Sequence, residues 1–447
     1  MKKLFSIVLA LMTLTTFAQK VKSYYDLPLL AKSNLSFLDK SKNISSSRVF
    51  IKEHTLVIAD QHGNEEIFLP WTEVPDVVRR LETGDHKQLY NGTNKTLKSL
   101  RGNYIKAGTE YHPIPTEMTD LIVAIDPGHF AGNISEAIRE DKFVKMHGTE
   151  LGLKKDISFY EADLNDITAT IVKLELEKLG AKSFLTKGAG QNGIGKSFHD
   201  WFKKDFRADL QGAYIDGDVS KNNYEAYAKA DSNQIFNTFY RFVEFRKRID
   251  LINNSNPSIT VVIHYNASEG GKRDADGFLK PVEANYSMAF VPGAFLGHEL
   301  QRYSEKLDFL RLLLSPDLDK SMRLAHLILQ AERGIGVEPV KHDQHVLDER
   351  YCTPTDYDGV YCRNLAMTRT IRGPVVYLEA LLQDNKNEAV VLAKKDYVLD
   401  HPQYGKMMVP KRCYDVAMSI VKGITDWLEE NKSFSQTASI QIKSPNK

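Results

Sequence analysis

The chain has 447 residues, and its 59 Lys and Arg residues nearly balance its 58 Asp and Glu residues, giving a formal net charge of +1. This balance provides no overall basic field, so no nucleic-acid partner is predicted. Apolar residues make up 42% and charged residues 26%, which is typical of a globular protein rather than a disordered one. Three cysteines are too few for a disulfide scaffold. The length alone corresponds to about three domains.

The N-terminus has the pattern of a secretory signal peptide over residues 1–18. Lys2 and Lys3 form a basic start, a short apolar run follows at 4–14, and residues 16–18 resemble a cleavage site. A buried N-terminal helix is the alternative interpretation. We therefore expect a mature protein in the periplasm or secreted. No later stretch reaches the ~20 apolar residues of a membrane-spanning helix, so no transmembrane segment is predicted.

Residues 19–118 are predicted to form a small N-terminal β-rich unit of unknown role. Two stretches, 48–52 and 55–59, have the apolar character of strands. The turn signal His-Gly-Asn at 62–64 follows them. No combination of side chains in this unit indicates a chemistry.

From residue 119 to about residue 430 the pattern indicates an α/β fold. The apolar runs at 121–126, 258–264 and 375–378 are short and nearly continuous, as in strands that are buried on both faces. An amphipathic helix is predicted at 161–180, and a strand at 181–186 follows it, so that a parallel strand pair is expected. Further helices are predicted at 234–254, 297–314, 321–331 and 410–430, and a further strand at 286–291.

Two long insertions are predicted within this part of the chain, at about 187–233 and 300–370. The first has no strong hydrophobic period, and the part of the second at 333–369 is polar and irregular. Residues 431–447 are predicted to form a flexible tail. Cys352 and Cys362 lie in the second insertion, and the sequence is compatible with a disulfide between them or with two thiols.

Four side chains lie at strand ends or at a helix start, where α/β sheets expose functional groups. His129 follows the first strand, Glu161 begins the helix, His264 ends the second buried strand and Glu379 follows the third. Two imidazoles and one carboxylate are a known catalytic zinc set that leaves one coordination position open. The remaining carboxylate is a candidate general base. Each residue alone is compatible with a structural role, so the hypothesis rests on their joint placement.

The segments around these positions resemble the zinc-dependent N-acetylmuramoyl-L-alanine amidases, which act on peptidoglycan. The motifs are IDPGH at 125–129, Glu161 before a helix, FLT at 184–186, IHYNA at 263–267 and VYLE at 376–379. Arg248 matches the family's arginine on the helix before the IHYNA strand. The resemblance covers about residues 119–430, with the two insertions.

This resemblance implies a twisted mixed sheet flanked by helices and Zn2+ as the cofactor. It makes His129, Glu161 and His264 the metal ligands and Glu379 the catalytic carboxylate. The substrate it implies is the amide bond between N-acetylmuramic acid and L-alanine in peptidoglycan. Some relatives hold a helix over the zinc until a partner removes it. An activating protein partner is therefore part of the hypothesis, with one of the insertions as the blocking segment.

The sequence also departs from the family pattern. The family's two glycines after the first histidine are replaced by FAG at 130–132, which is expected to alter the rim of the site. Lys187 stands in place of the arginine that follows the LT pair. The long interval before Glu161 leaves Glu150 as a rival ligand, although the residues after Glu150 break the helical pattern.

Two other functions are compatible with the sequence. One is a non-catalytic cell-wall-binding protein on the same fold, and the other is a zinc amidase or peptidase that acts on another exported amide. The presence of all four site residues favours a catalyst. A weaker metal signal, His342 and His345 with nearby aspartates, lies in the second insertion, where a solvated loop is the favoured interpretation.

Overall fold

The structure is a computed structural model that describes residues 27–40, 42–83, 115–188, 192–268, 273–300, 303–402 and 404–442. The signal peptide predicted at residues 1–18 lies outside these residues. Within the described part of the chain, no helix combines the length and the apolar composition that are needed to cross a membrane.

The described chain alternates between strands and helices over most of its length. Its strands are β1 (Val49–Ile51), β2 (Thr55–Ala59), β3 (Glu65–Pro70), β4 (Ile122–Pro127), β5 (Phe143–Met146), β6 (Ile157–Tyr160), β7 (Lys182–Leu185), β8 (Ile259–Asn266), β9 (Met288–Val291), β10 (Cys352–Pro354), β11 (Val360–Arg363), β12 (Val375–Leu382), β13 (Tyr397–His401) and β14 (Gly405–Val409). Its helices are α1 (Leu27–Leu38), α2 (Asn43–Ser47), α3 (Val74–Thr83), α4 (Ile134–Glu140), α5 (Glu161–Lys178), α6 (Phe198–Lys204), α7 (Phe206–Ile215), α8 (Lys221–Lys229), α9 (Ser232–Ile235), α10 (Arg241–Ser255), α11 (Tyr303–Leu314), α12 (Asp317–Glu332), α13 (Ala366–Thr370), α14 (Lys386–Leu392) and α15 (Lys411–Ile442).

A seven-stranded mixed sheet forms the centre of the molecule, in the spatial order β10-β11-β9-β12-β8-β4-β7. The strands β12, β8, β4 and β7 are parallel neighbours. Beyond them, β9 runs antiparallel to β12, and β11 runs parallel to β9. Helices lie on both faces, so the predicted α/β class with a mixed sheet flanked by helices is confirmed.

The two faces of the sheet have different partners because successive side chains of a strand point to opposite sides. On β8, Val261 and Ile263 belong to the large core that the helices α5, α12 and α15 cover. Val262 points the other way and packs with Ile249 and Ile252 of α10. His264 follows Val262 by two residues, so its side chain lies on the α10 side of the sheet.

Part of the N-terminal unit is described and confirms the predicted strands. The strands β1, β2 and β3 form a three-stranded antiparallel sheet, and the helices α1 and α3 pack on α11. Ala31 and Leu38 of α1 belong to the same apolar core as the central sheet. The described residues of this unit therefore share their core with α11, a helix of the second predicted insertion.

The first predicted insertion contains its own helical structure. The helices α6, α7 and α8 lie within 187–233 and pack around an aromatic core with the residues that lead into α10. Trp201 and Phe236 are completely buried in this core. We call the segment from α6 to Tyr240 the helical subdomain. The predicted helix at 234–254 is present as α9, a π-helical turn at Phe236–Tyr240, and α10.

The prediction that residues 333–369 are irregular is wrong in part. This segment contributes β10, β11 and α13, and the two strands extend the central sheet beyond β9. The strands are only three and four residues long, so their apolar residues do not form a recognisable period. The pairing of β11 with β9 joins segments that are distant in the sequence, which a local pattern does not record, and β10 pairs with β11.

The C-terminal helix α15 also extends beyond the prediction. It continues to Ile442, and the flexible tail predicted from residue 431 stays a prediction. All three cysteines are present as thiols rather than disulfides. Cys352 and Cys362 lie on the antiparallel neighbours β10 and β11, where Cys362 pairs with Thr353 rather than with Cys352.

Asn34 provides a test of how α1 is fixed to α11. Its buried side-chain amide donates hydrogen bonds to the carbonyls of Leu312 (2.9 Å), Leu313 (3.2 Å) and Ser315 (2.9 Å), which lie at the end of α11. The variant Asn34→Ala leaves these carbonyls buried without that donor, so we expect the free energy of unfolding to fall by about 1–3 kcal/mol. Urea denaturation measures the change. Ser33→Ala, on the exposed side of the same helix, should change it little.

Candidate functional site

The sheet topology brings three of the four predicted site residues to one edge. The strands β4, β8 and β12 are parallel neighbours, so their carboxyl ends lie together. His129 follows the end of β4 after one intervening glycine, and His264 on β8 pairs with Glu379 on β12. Both strands continue beyond these residues, to Asn266 and Leu382. His264 and Glu379 therefore lie inside their strands and not at the strand ends that the sequence predicts.

Glu161 joins the two histidines from the start of α5. Its Oε2 lies 3.0 Å from Nε2 of His129, and its Oε1 lies 3.0 Å from Nδ1 of His264. The two imidazole rings meet edge to face with their centroids 4.7 Å apart. One potential ligand atom from each of the three residues lies within 4.8 Å of the others. The structure therefore brings His129, Glu161 and His264 together as one buried cluster.

The backbone before His129 allows this close approach. The Gly128 amide donates to the Ile263 carbonyl at 2.9 Å, which fixes the turn against β8. A Cβ atom on Gly128 would lie 2.3 Å from Cε1 and Nε2 of the His264 ring. His129 itself has a φ of 60°, in the left-handed region that few non-glycine residues adopt. The glycine of the IDPGH motif is thus required because the second histidine packs directly on it.

A buried ion pair holds the end of β4 in place below the cluster. Nη1 of Arg248 on α10 donates to Oδ2 of Asp126 and to the Pro127 carbonyl, both at 3.0 Å. The Thr186 hydroxyl donates to the other carboxylate oxygen of Asp126. Both charged side chains are 1% exposed. The next residue is Lys187, which stands where the family has an arginine. It forms an ion pair with Asp166 on α5 and so has a charged partner in the fold.

Charges within the cluster set the protonation of its members. Burial disfavours a charged His129, but the carboxylates of Glu161 and Glu140 outweigh burial and raise the pKa of His129 to about 9. Burial also opposes the charge of Glu161, yet His129 outweighs burial and holds the Glu161 pKa well below its usual range. Burial lowers the pKa of His264 to about 4, so this imidazole is neutral near pH 7.

Glu379 lies beside this cluster in a different environment. Its Oε2 is buried and has no hydrogen-bond partner among the described residues. Burial raises the pKa of Glu379 to about 8, and the charge of Glu161 adds to the effect. Two carboxyl groups near each other thus have pKa values on opposite sides of neutral, which is how acid and base roles are separated in many active sites.

The donor set fits a divalent cation. Two imidazoles and a carboxylate are a usual set of catalytic zinc ligands. His129, Glu161 and His264 form such a group of three potential ligands in the described part of the chain. The buried Glu161 carboxylate requires a positive charge beside it. A bound cation would supply that charge in place of the proton on His129, which would then bind as the neutral imidazole.

The structure also places the alternative candidates. Glu150 lies in a short 3-10 turn at Gly148–Leu151, where it is exposed and outside the cluster. His345 is exposed and pairs with Glu349. His342 packs against the Tyr361 ring, and neither of these histidines belongs to a cluster of three potential ligands among the described residues.

Phe130 lies in a different place from the one expected. The sequence predicts a bulky ring at the rim of the site, but Phe130 is 1% exposed and points into the core of the helical subdomain. Its ring centroid lies 5.2 Å from that of Phe236 and 5.6 Å from that of Tyr240. The residue that replaces a family glycine therefore anchors the helical subdomain next to His129.

Three residues of the site are absent from the sequence-based set. Glu140, at the end of α4, lies 2.7 Å from Nδ1 of His129. The Gln383 amide donates to Oε2 of Glu161 at 3.2 Å and to the Tyr265 carbonyl at 2.9 Å. The Tyr377 ring stacks on His264 with the centroids 4.4 Å apart. Tyr377 lies two residues before Glu379 and therefore on the same face of β12. This alternation along the strand is the sequence signal that could have identified Tyr377 as a residue of the site.

The comparison with family models identifies the class of protein. Residues 123–400, more than half of the chain, match the model of the N-acetylmuramoyl-L-alanine amidases (Amidase_3). The chain belongs to the N-acetylmuramoyl-L-alanine amidase family. The match includes His129, Glu161, His264 and Glu379, and it defines the protein as an enzyme of the peptidoglycan amidase class. A search of curated proteins finds no match.

Solved structures of amidases are similar over most of their length. Ami1 from Mycobacterium smegmatis is 14% identical and matches over 70% of this chain and 99% of its own, with a TM-score of 0.38. The CwlD amidase from Clostridioides difficile, solved in complex with the GerS lipoprotein, is 15% identical over 69% of this chain and 98% of its own, with a TM-score of 0.34. At these values the family assignment rests on the family model alone.

The ion pair below the site leads to a prediction about stability. Arg248→Met removes the guanidinium and leaves the Asp126 carboxylate buried without its cation, so we expect the free energy of unfolding to fall by about 3–5 kcal/mol. Chemical denaturation followed by tryptophan fluorescence measures the loss. The neighbouring exposed Lys247→Met is the control, and an equal loss in both variants would contradict a special role for the buried pair.

Proposed function

We propose that this protein is an exported, zinc-dependent hydrolase that cleaves the amide bond between N-acetylmuramic acid and L-alanine in peptidoglycan. The observation that supports it most directly is the buried cluster of His129, Glu161 and His264 beside Glu379, in a chain of the amidase family. His129, Glu161 and His264 would hold the metal, and Glu379 would be the catalytic carboxylate.

The reaction adds water across the amide bond. When bound, zinc acidifies a water molecule and polarises the carbonyl of the substrate. Glu379 accepts a proton as the water oxygen forms a bond to the carbonyl carbon. When the carbon–nitrogen bond breaks, Glu379 returns that proton to the leaving amine of L-alanine. Burial and the charge of Glu161 raise the pKa of Glu379 to about 8, and a cation held by Glu161 and the two histidines would lower it, which leaves the carboxylate free to accept the proton.

Neighbouring side chains keep the reacting groups in position. Gln383 donates to Glu161, and stacking against Tyr377 orients the His264 ring. These contacts come from β12 and the residue after it, the same part of the chain that carries Glu379. The catalytic carboxylate and the supports of two metal-site residues are therefore placed by one strand.

Export and an activating partner are the further parts of the proposal. The predicted signal peptide at residues 1–18 supports a location in the periplasm or outside the cell, where peptidoglycan is found. CwlD, a family structure, was solved with a partner lipoprotein. In this chain the helical subdomain lies against the residue after His129 and is the segment through which we propose an activating protein would act.

Glu379→Gln tests the catalytic carboxylate. The variant keeps the size of the side chain but cannot accept the proton, so we expect hydrolysis to fall by about 10²–10⁴-fold while zinc binding is retained. Release of stem peptides from purified sacculi measures the rate. Glu150→Gln, the exposed rival, is the matched control and should keep full activity. Hydrolysis by Glu379→Gln at the rate of the unmodified protein would contradict the proposed role.

His129→Ala tests the metal site. We expect the purified protein to contain about one zinc per chain and the variant to contain far less, because one of three ligands is lost. Elemental analysis of both proteins gives the result directly. His342→Ala, which removes a histidine of the weaker metal signal, should keep its zinc. Loss of zinc from His342→Ala, together with full zinc content in His129→Ala, would show that the metal binds elsewhere.

The same assays separate the alternative functions. A protein that binds sacculi but releases no peptide, with zinc present, would be a cell-wall-binding protein. A protein that hydrolyses other amides and leaves sacculi intact would be a zinc amidase of different specificity. Release of stem peptide that a chelator abolishes is the outcome that the proposal requires.

A further inference from the structure

Glu140 is a buried carboxylate at the site that has no part in the proposed reaction. It is the last residue of α4, and its side chain is 7% exposed. Its Oε1 lies 2.7 Å from Nδ1 of His129, a short hydrogen-bond distance. Glu140 is not part of the cluster of three potential metal ligands, so its contact with the site is through His129.

The two nitrogens of His129 therefore face two different carboxylates. Nδ1 lies against Glu140, and Nε2 faces Glu161 at 3.0 Å, toward the inside of the cluster. A neutral imidazole carries one proton, and an ionised carboxylate can only accept a hydrogen bond. The proton of a neutral His129 is thus held on Nδ1, which leaves the lone pair of Nε2 directed at the metal position.

The helix that carries Glu140 is fixed at both ends. At its start, the Asn133 side chain accepts a hydrogen bond from the Glu136 amide at 3.0 Å. Near its end, the Arg139 guanidinium lies over the Phe236 ring, 4.4 Å from its centroid, and donates to Asn233 at 2.8 Å. The helical subdomain thus holds α4 in place, which keeps the Glu140 carboxylate against His129.

We propose that Glu140 is a positioning residue that fixes the tautomer and the orientation of His129 for zinc binding. Carboxylate partners of this kind typically increase metal affinity by about 10–100-fold. The inference rests on the proposed zinc site and adds to it a residue on α4, outside the recognised motifs. It also gives the helical subdomain a structural connection to the metal site, through Arg139 and Glu140.

The test compares variants of the full chain by zinc affinity, measured by competition with a chelator. We expect Glu140→Ala to bind zinc about 10–100-fold more weakly. Glu140→Gln retains an oxygen that accepts from Nδ1, so its affinity should lie between those of Glu140→Ala and the unmodified protein. Glu136→Gln is the matched control, because this carboxylate on the same helix bonds the Gly132 amide and not a histidine. Its zinc affinity should not change.

A second measurement does not depend on any variant. In the zinc-loaded protein with 15N-labelled histidine, the His129 ring should show a proton on Nδ1 and none on Nε2. Unchanged zinc affinity in a folded Glu140→Ala, or a proton on Nε2 of His129, would overturn the role of Glu140 and leave the proposed function intact. A protein that binds no zinc would overturn both.

Discussion

The buried pair of Arg248 and Asp126 is the interaction on which the site depends. Burying two charges is costly, so the pair persists only because further donors satisfy the carboxylate. Thr186 from the end of β7 and Arg248 from α10 meet Asp126 at the end of β4, so one carboxylate joins three elements. The turn at Gly128 follows within two residues and brings His129 against His264. The position of the histidines thus depends on charges that take no part in the chemistry.

The cluster itself shows the same balance between burial and charge. Burial disfavours every charged group at the site, and the protonation of each residue follows from which neighbour opposes that cost. The charge of His129 outweighs burial and keeps Glu161 ionised, whereas burial and the charge of Glu161 raise the pKa of Glu379, whose Oε2 has no hydrogen-bond partner in the described part of the chain. A cluster that could hold a cation and a carboxyl group with a raised pKa therefore lie side by side, although each contains a glutamate.

Residues outside the family motifs hold the elements of the site in place from a distance. The helical subdomain packs around Phe130 and contacts Arg139, so it touches the chain at the FAG departure and again near the end of α4. The N-terminal helix α1 is similarly fixed to α11 through Asn34. The helical subdomain and the N-terminal helix, which lie outside the family motifs, are thus packed onto the rest of the chain at defined points.

The sequence by itself determined the α/β class, the main strands and the four residues of the candidate site. Short, nearly continuous apolar runs and the chemistry of His and Glu at their ends are local signals, readable without knowledge of contacts. Only the tertiary structure decided the contacts of Glu140 and Gln383 with the site and the place of the short strands β10 and β11 in the sheet. Each of these depends on a partner far along the chain or on a hydrogen bond too specific for any period to record. The tertiary structure likewise separated Glu161 from Glu150, because only the residue at the start of α5 lies between the two histidines.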